Sequence, residues 1–265
     1  MAREPGGRRR LSRWARIARL PGIGNGKALR RLALLGCVSL GSTAWAQDDA
    51  PPVRWPVLAR TAPDAAGFAP RGWAVEASRT GDVDGDGIAD LVAILHQRSP
   101  RNVLHEGQMR ADGLDTNPRL LVVAIGRRGG PFRLLFANRT LIPRWTEWNL
   151  DDPLGVVDGF VVQRGAFSVP LHLFANAGGW GASDRDLTFR VIGGRCVLIG
   201  YDEQYLQRNT GVTTTTSINY LTGVKQVDID SIDGNTPART RRTRLPKRPL
   251  PTIEQVGDGR EFEPK

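Results

Sequence analysis

Residues 81–95 read Gly-Asp-Val-Asp-Gly-Asp-Gly-Ile-Ala-Asp-Leu-Val-Ala-Ile-Leu. Four aspartates at loop positions 1, 3, 5 and 9, with glycine at position 6, give hard oxygen ligands pointing inward from one tight turn. Their charges repel by roughly 1 kcal/mol per pair even in a water-like dielectric, and a cation relieves this. An ordinary solvated turn would leave the spacing unexplained. The spacing predicts a calcium site of Asp82, Asp84, Asp86 and Asp90, with the Ile88 carbonyl.

The residues after this loop predict a strand. An EF-hand would need a bidentate glutamate at loop position 12, where this chain has Ala93, and a helix on each side. The run 91–95 is instead apolar and partly β-branched, which is typical of a buried strand. The loop is therefore expected between two strands, near the N-terminal end of a β-rich domain.

Residues 1–46 have the pattern of an export signal. Ten Lys and Arg against one acid precede an apolar run at 32–41, and Ala44-Trp45-Ala46 forms a small-x-small cleavage site before Gln47. The pattern predicts a periplasmic or secreted product. An alternative is a lipoprotein anchored through Cys37, because Leu34-Leu35-Gly36-Cys37 resembles a lipobox.

The charge of the chain belongs almost entirely to this signal. Of the formal +10, residues 1–46 carry +9 and residues 47–265 carry +1. A nearly neutral mature chain without a helix-turn-helix or RNA-binding signature is not expected to bind nucleic acid. No transmembrane segment is expected after the signal, and the lone mature cysteine, Cys196, is expected to be a buried, unpaired hydrophobe.

Composition divides the mature chain into three parts. Residues 47–71 are rich in Pro and Ala and are expected to be a flexible leader. Residues 72–238 form the expected single β-rich domain, with the calcium loop at 82–90. Residues 239–265 are basic and contain prolines, which predicts a solvated tail or, alternatively, a contact with an anionic surface.

Short apolar runs separated by glycine turns set the fold class. Hairpin signals lie at Arg127-Arg128-Gly129-Gly130 and at Gly193-Gly194. Many of the runs are apolar on both faces, which favours a mainly β fold, an antiparallel sandwich or a closed meander, over an exposed sheet. The runs are 119–126, 132–142, 160–163, 167–174, 187–192, 196–201, 213–221 and 224–229.

Six short segments accompany the Asp-rich loop: Gly72-Trp73, Leu114-Asp115-Thr116-Asn117-Pro118-Arg119, Asn149-Leu150-Asp151-Asp152-Pro153, Ala177-Gly178-Gly179-Trp180, Leu198-Ile199-Gly200-Tyr201-Asp202 and Thr216-Ser217-Ile218-Asn219-Tyr220-Leu221-Thr222-Gly223. With the loop, they resemble an uncharacterised family of exported bacterial proteins. Its members carry a single FG-GAP/VCBS-like, integrin-type calcium loop ahead of a β-rich body. The resemblance implies an exported location, and it implies ligand roles for Asp82, Asp84, Asp86, Asp90 and the Ile88 carbonyl. The resemblance supports the location and the metal site, and it does not assign a catalytic activity.

Outside the loop, the sequence contains no complete catalytic set. One group of acidic residues near two tryptophans has the composition of a glycosidase site: Glu147, Asp151, Asp152 and Asp158, near Trp145 and Trp148. This leaves two interpretations. The favoured one is a calcium-stabilised envelope protein that acts as a recognition or structural module, with no catalytic residues and with an unspecified envelope or extracellular ligand. The alternative is a secreted hydrolase that uses these carboxylates.

The signal pattern makes a direct prediction. Protein recovered from the periplasm should have an intact mass that begins at Gln47, because Ala44 and Ala46 fit the −3 and −1 positions of a signal-peptidase site. Recovery of a lipid-modified Cys37 in the membrane fraction would contradict this and indicate an anchored protein.

Overall fold

The computed structural model describes residues 50–105, 111–155, 159–234 and 237–264. The predicted signal, its cleavage site and Cys37 lie outside them. The strands are β1 (Thr61–Ala62), β2 (Trp73–Gly81), β3 (Asp90–Gln97), β4 (Val103–Leu104), β5 (Leu114–Asp115), β6 (Arg119–Arg127), β7 (Gly130–Asn138), β8 (Val161–Gln163), β9 (Ala166–Phe174), β10 (Gly181–Ile192), β11 (Arg195–Gln207), β12 (Val212–Asn219), β13 (Val224–Ser231) and β14 (Arg239–Arg244). Short 3-10 turns cover Ala66–Phe68 and Pro100–Asn102, and one helical turn, α1, covers Ile253–Val256.

The strands form two antiparallel sheets and a small two-stranded pair. The first sheet has the order β1-β7-β6-β3-β2, and the second has the order β14-β13-β12-β11-β10-β9-β8. The third pair is β4-β5. Within the described residues no sheet closes into a barrel, so the prediction of a mainly β antiparallel fold is confirmed in its sandwich form.

The main core lies between the two large sheets. Val92 and Ile94 of β3 and Val123 of β6 pack in one cluster with Val169 of β9 and Phe189 of β10, and all five are fully buried. These residues alternate along their strands, as expected for the inner faces of a sandwich. The two hairpins predicted from glycine turns are present, because β6 pairs with β7 and β10 pairs with β11.

The N-terminal segment covers the other face of the five-stranded sheet. Phe68 is 1% exposed and packs with Leu95 of β3 and Val122 of β6, and Trp55 and Leu58 pack against the same cluster. This is why β3 and β6 are apolar on both faces. The segment that was expected to be a flexible leader therefore supplies a second core layer and the short strand β1, which pairs with β7.

The C-terminal segment also differs from the expected tail. Residues 239–244 form β14, which pairs with β13, and the chain then returns to the sandwich. Ile253 and Val256 of α1 are buried in the main core, and Thr252 caps this turn with a reciprocal capping box to Gln255. The ordered β domain thus extends well beyond residue 238, because the side chains of Ile253 and Val256, which follow the basic run, pack in the main core.

Cys196 lies on β11 as an unpaired, buried thiol, 3% exposed. Burial raises the pKa of this thiol, and the nearby carboxylate of Glu254 raises it further. Since the thiolate is the reactive form, this cysteine is a packing residue of the main core.

Candidate metal centre

The Asp-rich loop joins two paired strands. Residues 82–89 connect β2 to β3, and the strand pair ends where Gly81 faces Asp90. Asp82 organises the turn: its Oδ1 accepts the backbone N–H of Gly85 at 2.6 Å and its Oδ2 accepts that of Gly87 at 3.0 Å. Both glycines have positive φ, 89° and 81°, which other residues adopt only with strain. These N–H groups, that of Gly85 first, lower the pKa of Asp82 and keep it ionised.

The next two aspartates repeat the pattern along the loop. Asp84 accepts the N–H of Asp86 at 3.1 Å, and Asp86 accepts that of Ile88 at 2.7 Å. Carboxylate oxygens of Asp82, Asp84 and Asp86 all lie within 4.8 Å of one another. Three hard carboxylate oxygen donors at this separation fit a divalent cation that prefers oxygen ligands. The loop therefore brings together a group of three aspartates that could hold a metal ion.

Asp90 has a different position from the other three. It is 0% exposed, its Oδ2 accepts the N–H of Val83 at 2.8 Å, and its Oδ1 accepts the N–H of Gly126 at 2.8 Å. Burial raises the pKa of Asp90 despite these two hydrogen bonds, and the charges of Asp84 and Asp86 add to the rise. Asp90 lies outside the group of three, so a ligand role for its carboxylate, and for the Ile88 carbonyl, stays a prediction.

The loop is attached to both sheets of the sandwich. Val83 is fully buried in the main core, and its carbonyl accepts the N–H of Val191 of β10 at 3.0 Å. On the other side, Gly126 of β6 lies so close to Ala89 that an added Cβ would stand 2.1 Å from the Ala89 carbonyl oxygen. The backbone contact at Gly126 thus requires glycine, and it lets the buried carboxylate of Asp90 reach the N–H there.

A second polar cluster lies at the opposite end of β3 and was not predicted as a site. Arg119 is 6% exposed and lies between two carboxylates. It donates to Glu76 from Nε and Nη2 at 2.6 and 2.8 Å, and to Asp152 from Nη1 and Nη2 at 2.8 and 2.7 Å. Burial alone would lower the pKa of Arg119, but its bonds to Glu76 and Asp152 outweigh burial and raise it. The sequence feature that could have indicated this cluster is an arginine at the start of an apolar strand, because a buried arginine needs oppositely charged partners.

His96 lies across from Arg119 in the β3–β6 pair. It is 5% exposed, and among the described residues neither ring nitrogen has a hydrogen-bond partner. Its Nδ1 is 3.7 Å from Glu76 Oε1 and its Nε2 is 3.8 Å from Asp115 Oδ2. Burial lowers the pKa of His96, and the charge of Arg119 lowers it further, against the opposing effect of the two carboxylates.

Three of the four carboxylates of the glycosidase interpretation lie in the described residues, and each of these three has a separate partner. Glu147 pairs with Arg260 at 3.1 Å, and Asp151 accepts a hydrogen bond from the Asn176 amide at 2.8 Å. Asp152 is one of the two partners of the buried arginine described above. Asp158, the fourth, lies outside the described residues, and Trp145 donates its Nε1–H to a backbone carbonyl at 2.9 Å.

Comparison of the chain with protein-family models, with curated proteins and with solved structures finds no match. The resemblance to exported proteins with an FG-GAP-like loop therefore stays an expectation from sequence. None of the helices in the described ranges has the length and apolar character that crossing a membrane requires.

The buried histidine makes the stability of the fold depend on pH. Because the pKa of His96 is lowered in the folded chain, the unfolded chain takes up the proton first as pH falls. At pH values below the ordinary histidine pKa of about 6.5, the free energy of unfolding should therefore decrease as the pH is lowered, by at most about 1.4 kcal/mol per pH unit. Urea unfolding of wild type and His96→Gln at pH 7.5, 6.5 and 5.5, roughly one pH unit apart, measures this contribution.

The exposed His105 provides the control. The variant His105→Gln should keep the pH dependence of wild type, whereas His96→Gln should flatten it between about pH 6.5 and 5.5. Equal pH dependence in wild type and His96→Gln would show that His96 does not carry the effect.

Proposed function

We propose that this protein is an exported, calcium-stabilised module of the cell envelope that acts in recognition or in structure and not in catalysis. The observation that carries the proposal is the convergence of Asp82, Asp84 and Asp86 oxygens within 4.8 Å, in a loop attached to both sheets. A site at such a position acts on the stability of the whole sandwich. The predicted export signal would bring the protein to a compartment where calcium is available.

Calcium is the ion that best suits this donor set. Calcium takes six to eight oxygen ligands in flexible geometry, whereas magnesium requires a strict octahedron and keeps its waters. The three aspartates would hold the ion, and we expect the Ile88 carbonyl and Asp90 to complete its ligands together with water. The ion would supply positive charge between carboxylates that otherwise repel one another.

A recognition role is supported by a fixed loop with an exposed aromatic side chain. Trp180, the residue directly before β10, is 61% exposed. Its loop is bound at two points by Arg208, which donates to the carbonyls of Ala175 and Gly179 at 2.5 Å each. The same guanidinium lies 4.3 Å above the ring of Phe174. An exposed tryptophan on a loop that is already held in place suits a binding contact, because little conformational entropy is lost when such a loop meets a partner.

The hydrolase alternative has weaker support. A glycosidase needs two carboxyl groups facing each other across the scissile bond, one of them free to donate a proton. Glu147 and Asp152 are instead ion-paired to two different arginines, and Asp151 accepts from an asparagine. These contacts are those of structural carboxylates, and they favour the non-catalytic proposal.

The proposal predicts that calcium stabilises the fold. With a dissociation constant on the order of 10⁻⁴ to 10⁻³ M, as in extracellular modules, millimolar calcium adds about 0.4 to 1.4 kcal/mol to the free energy of unfolding. For a domain of this size the melting temperature should rise by about 1 to 5 °C. Thermal unfolding in calcium, in magnesium and in chelator measures the shift, and magnesium should give the smaller one.

The variant Asp84→Ala should lose the calcium response, because it removes one of the three converging carboxylates. The exposed Asp112 lies outside the loop, and Asp112→Ala should keep the full response. Equal melting temperatures of wild type in calcium and in chelator, with no metal found by elemental analysis, would overturn the proposal.

A further inference from the structure

The last strand of the seven-stranded sheet is an open edge. All six residues of β14 pair with β13 in unbroken register from Val224↔Arg244 to Ile229↔Arg239. Among the described residues no strand pairs with its other side. Proteins usually protect such edges with bulges, prolines or charges. Here the strand has no register shift and no internal proline, and only its charges protect it.

The phase of the ladder shows which backbone groups are unpaired. The N–H of Leu245 donates to the carbonyl of Gly223 at 2.8 Å, so this pair belongs to the hydrogen-bonded set. In an antiparallel ladder the hydrogen-bonded pairs recur every second residue. The backbone groups of Thr240, Arg242 and Arg244 therefore point away from β13. They offer N–H donors and carbonyl acceptors for one more strand.

The arginines of β14 lie on both faces of the sheet. Side chains alternate along a strand, so Arg239 and Arg241 project from one face and Arg242 and Arg244 from the other. All four residues are exposed. Within the described part of the chain none forms a salt bridge, and the nearby carboxylate of Asp228 instead accepts the hydroxyl of Thr240 at 2.5 Å. Four cations without partners thus flank one unpaired backbone edge.

This arrangement fits one kind of occupant better than its competitors. A second copy of β14 would place arginines opposite arginines, which is destabilising. A flat anionic surface against one face of the sheet would reach only two of the four. A strand added in the plane of the sheet meets both faces, and acidic side chains on it would lie opposite arginines while its backbone pairs with the edge.

We propose that β14 binds an extended acidic segment of a partner protein by strand addition. The backbone edge supplies the affinity common to all extended segments, and the four arginines select against basic or identical strands. This inference rests on the recognition role proposed above, but it does not involve the metal loop. Binding should therefore persist in chelator and in the Asp84→Ala variant, which separates its failure from a failure of the calcium proposal.

The test uses the full-length chain and a fluorescent peptide with the core Glu-Thr-Glu-Glu-Thr-Glu, measured by anisotropy. Three controls accompany it: the same peptide with glutamine for glutamate, the acidic peptide N-methylated at alternate backbone nitrogens, and vesicles of phosphatidylglycerol or phosphatidylcholine. We expect the acidic peptide to bind, more weakly at higher salt. N-methylation should weaken binding about ten-fold or more, since it removes the backbone hydrogen bonds.

Protein variants test the two faces separately. The double variant Arg242→Gln/Arg244→Gln should weaken binding of the acidic peptide about two- to ten-fold, the effect of two exposed ion pairs. The corresponding double variant of the arginines on the other face should weaken it similarly. The matched control is Arg127→Gln/Arg128→Gln, which removes two exposed arginines from the β6–β7 hairpin and should leave binding unchanged.

Amide hydrogen exchange identifies the contact directly. The acidic peptide should slow exchange at Thr240, Arg242 and Arg244, whose N–H groups point outward, and leave Arg241 and Thr243 unchanged. If the N-methylated peptide bound as tightly as the unmodified acidic peptide, strand addition would be overturned, because charge contacts would then account for the binding without backbone hydrogen bonds. Binding to phosphatidylglycerol vesicles without binding to the peptide would identify an anionic surface instead. Absence of binding to both would also overturn the proposal.

Discussion

A single buried carboxylate connects the Asp-rich loop to the sandwich. Asp90 opens β3 and accepts one N–H from Val83 in the loop and one from Gly126 of β6, 36 residues away. A buried N–H group left without an acceptor costs about 1 to 3 kcal/mol, so both hydrogen bonds matter for stability. Loss of this carboxylate would leave both N–H groups without an acceptor in a buried place. Together with the burial of Val83, this connection anchors the loop that carries the three outer aspartates.

The connection explains how a small loop can affect a large domain. Val83 packs in the core between the sheets and bonds to β10, while Asp90 bonds to β6 of the other sheet. A cation held by Asp82, Asp84 and Asp86 would stabilise a segment that both sheets contact. Binding to the native form alone then adds to the stability of the whole fold.

Local patterns in the sequence were enough to predict the strands around the loop and the hairpins, because hydrophobic runs and glycine turns act over a few residues. They were not enough to predict the N-terminal layer. The apolar side chains of Trp55, Leu58 and Phe68 stand among prolines and alanines, and their partners on β3 and β6 are distant in sequence. The exposed strand β14 was missed for a similar reason: its pairing comes from β13, while its own basic composition is typical of a tail.

The candidate site also has one part that local sequence predicts and another that depends on residues distant in sequence. The carboxylates of Asp82, Asp84 and Asp86 could be predicted from their spacing, because all three belong to one turn. The separate role of Asp90 could not, because Gly126 lies on another strand. Likewise, the partners of Arg119 are 43 and 33 residues away, and only the folded chain brings them together. Spacing identifies a site whose residues share one segment and misses one assembled by the fold.

The most direct measurement is hydrogen exchange at the Gly126 amide in calcium and in chelator. Its N–H bonds to Asp90, so exchange there reports whether the loop and the sheet open together. We expect millimolar calcium to slow this exchange about two- to ten-fold, in parallel with exchange at the loop amide of Gly87. Slower exchange at Gly87 with no change at Gly126 would contradict it, because the loop would then bind its ion without any effect on the sandwich.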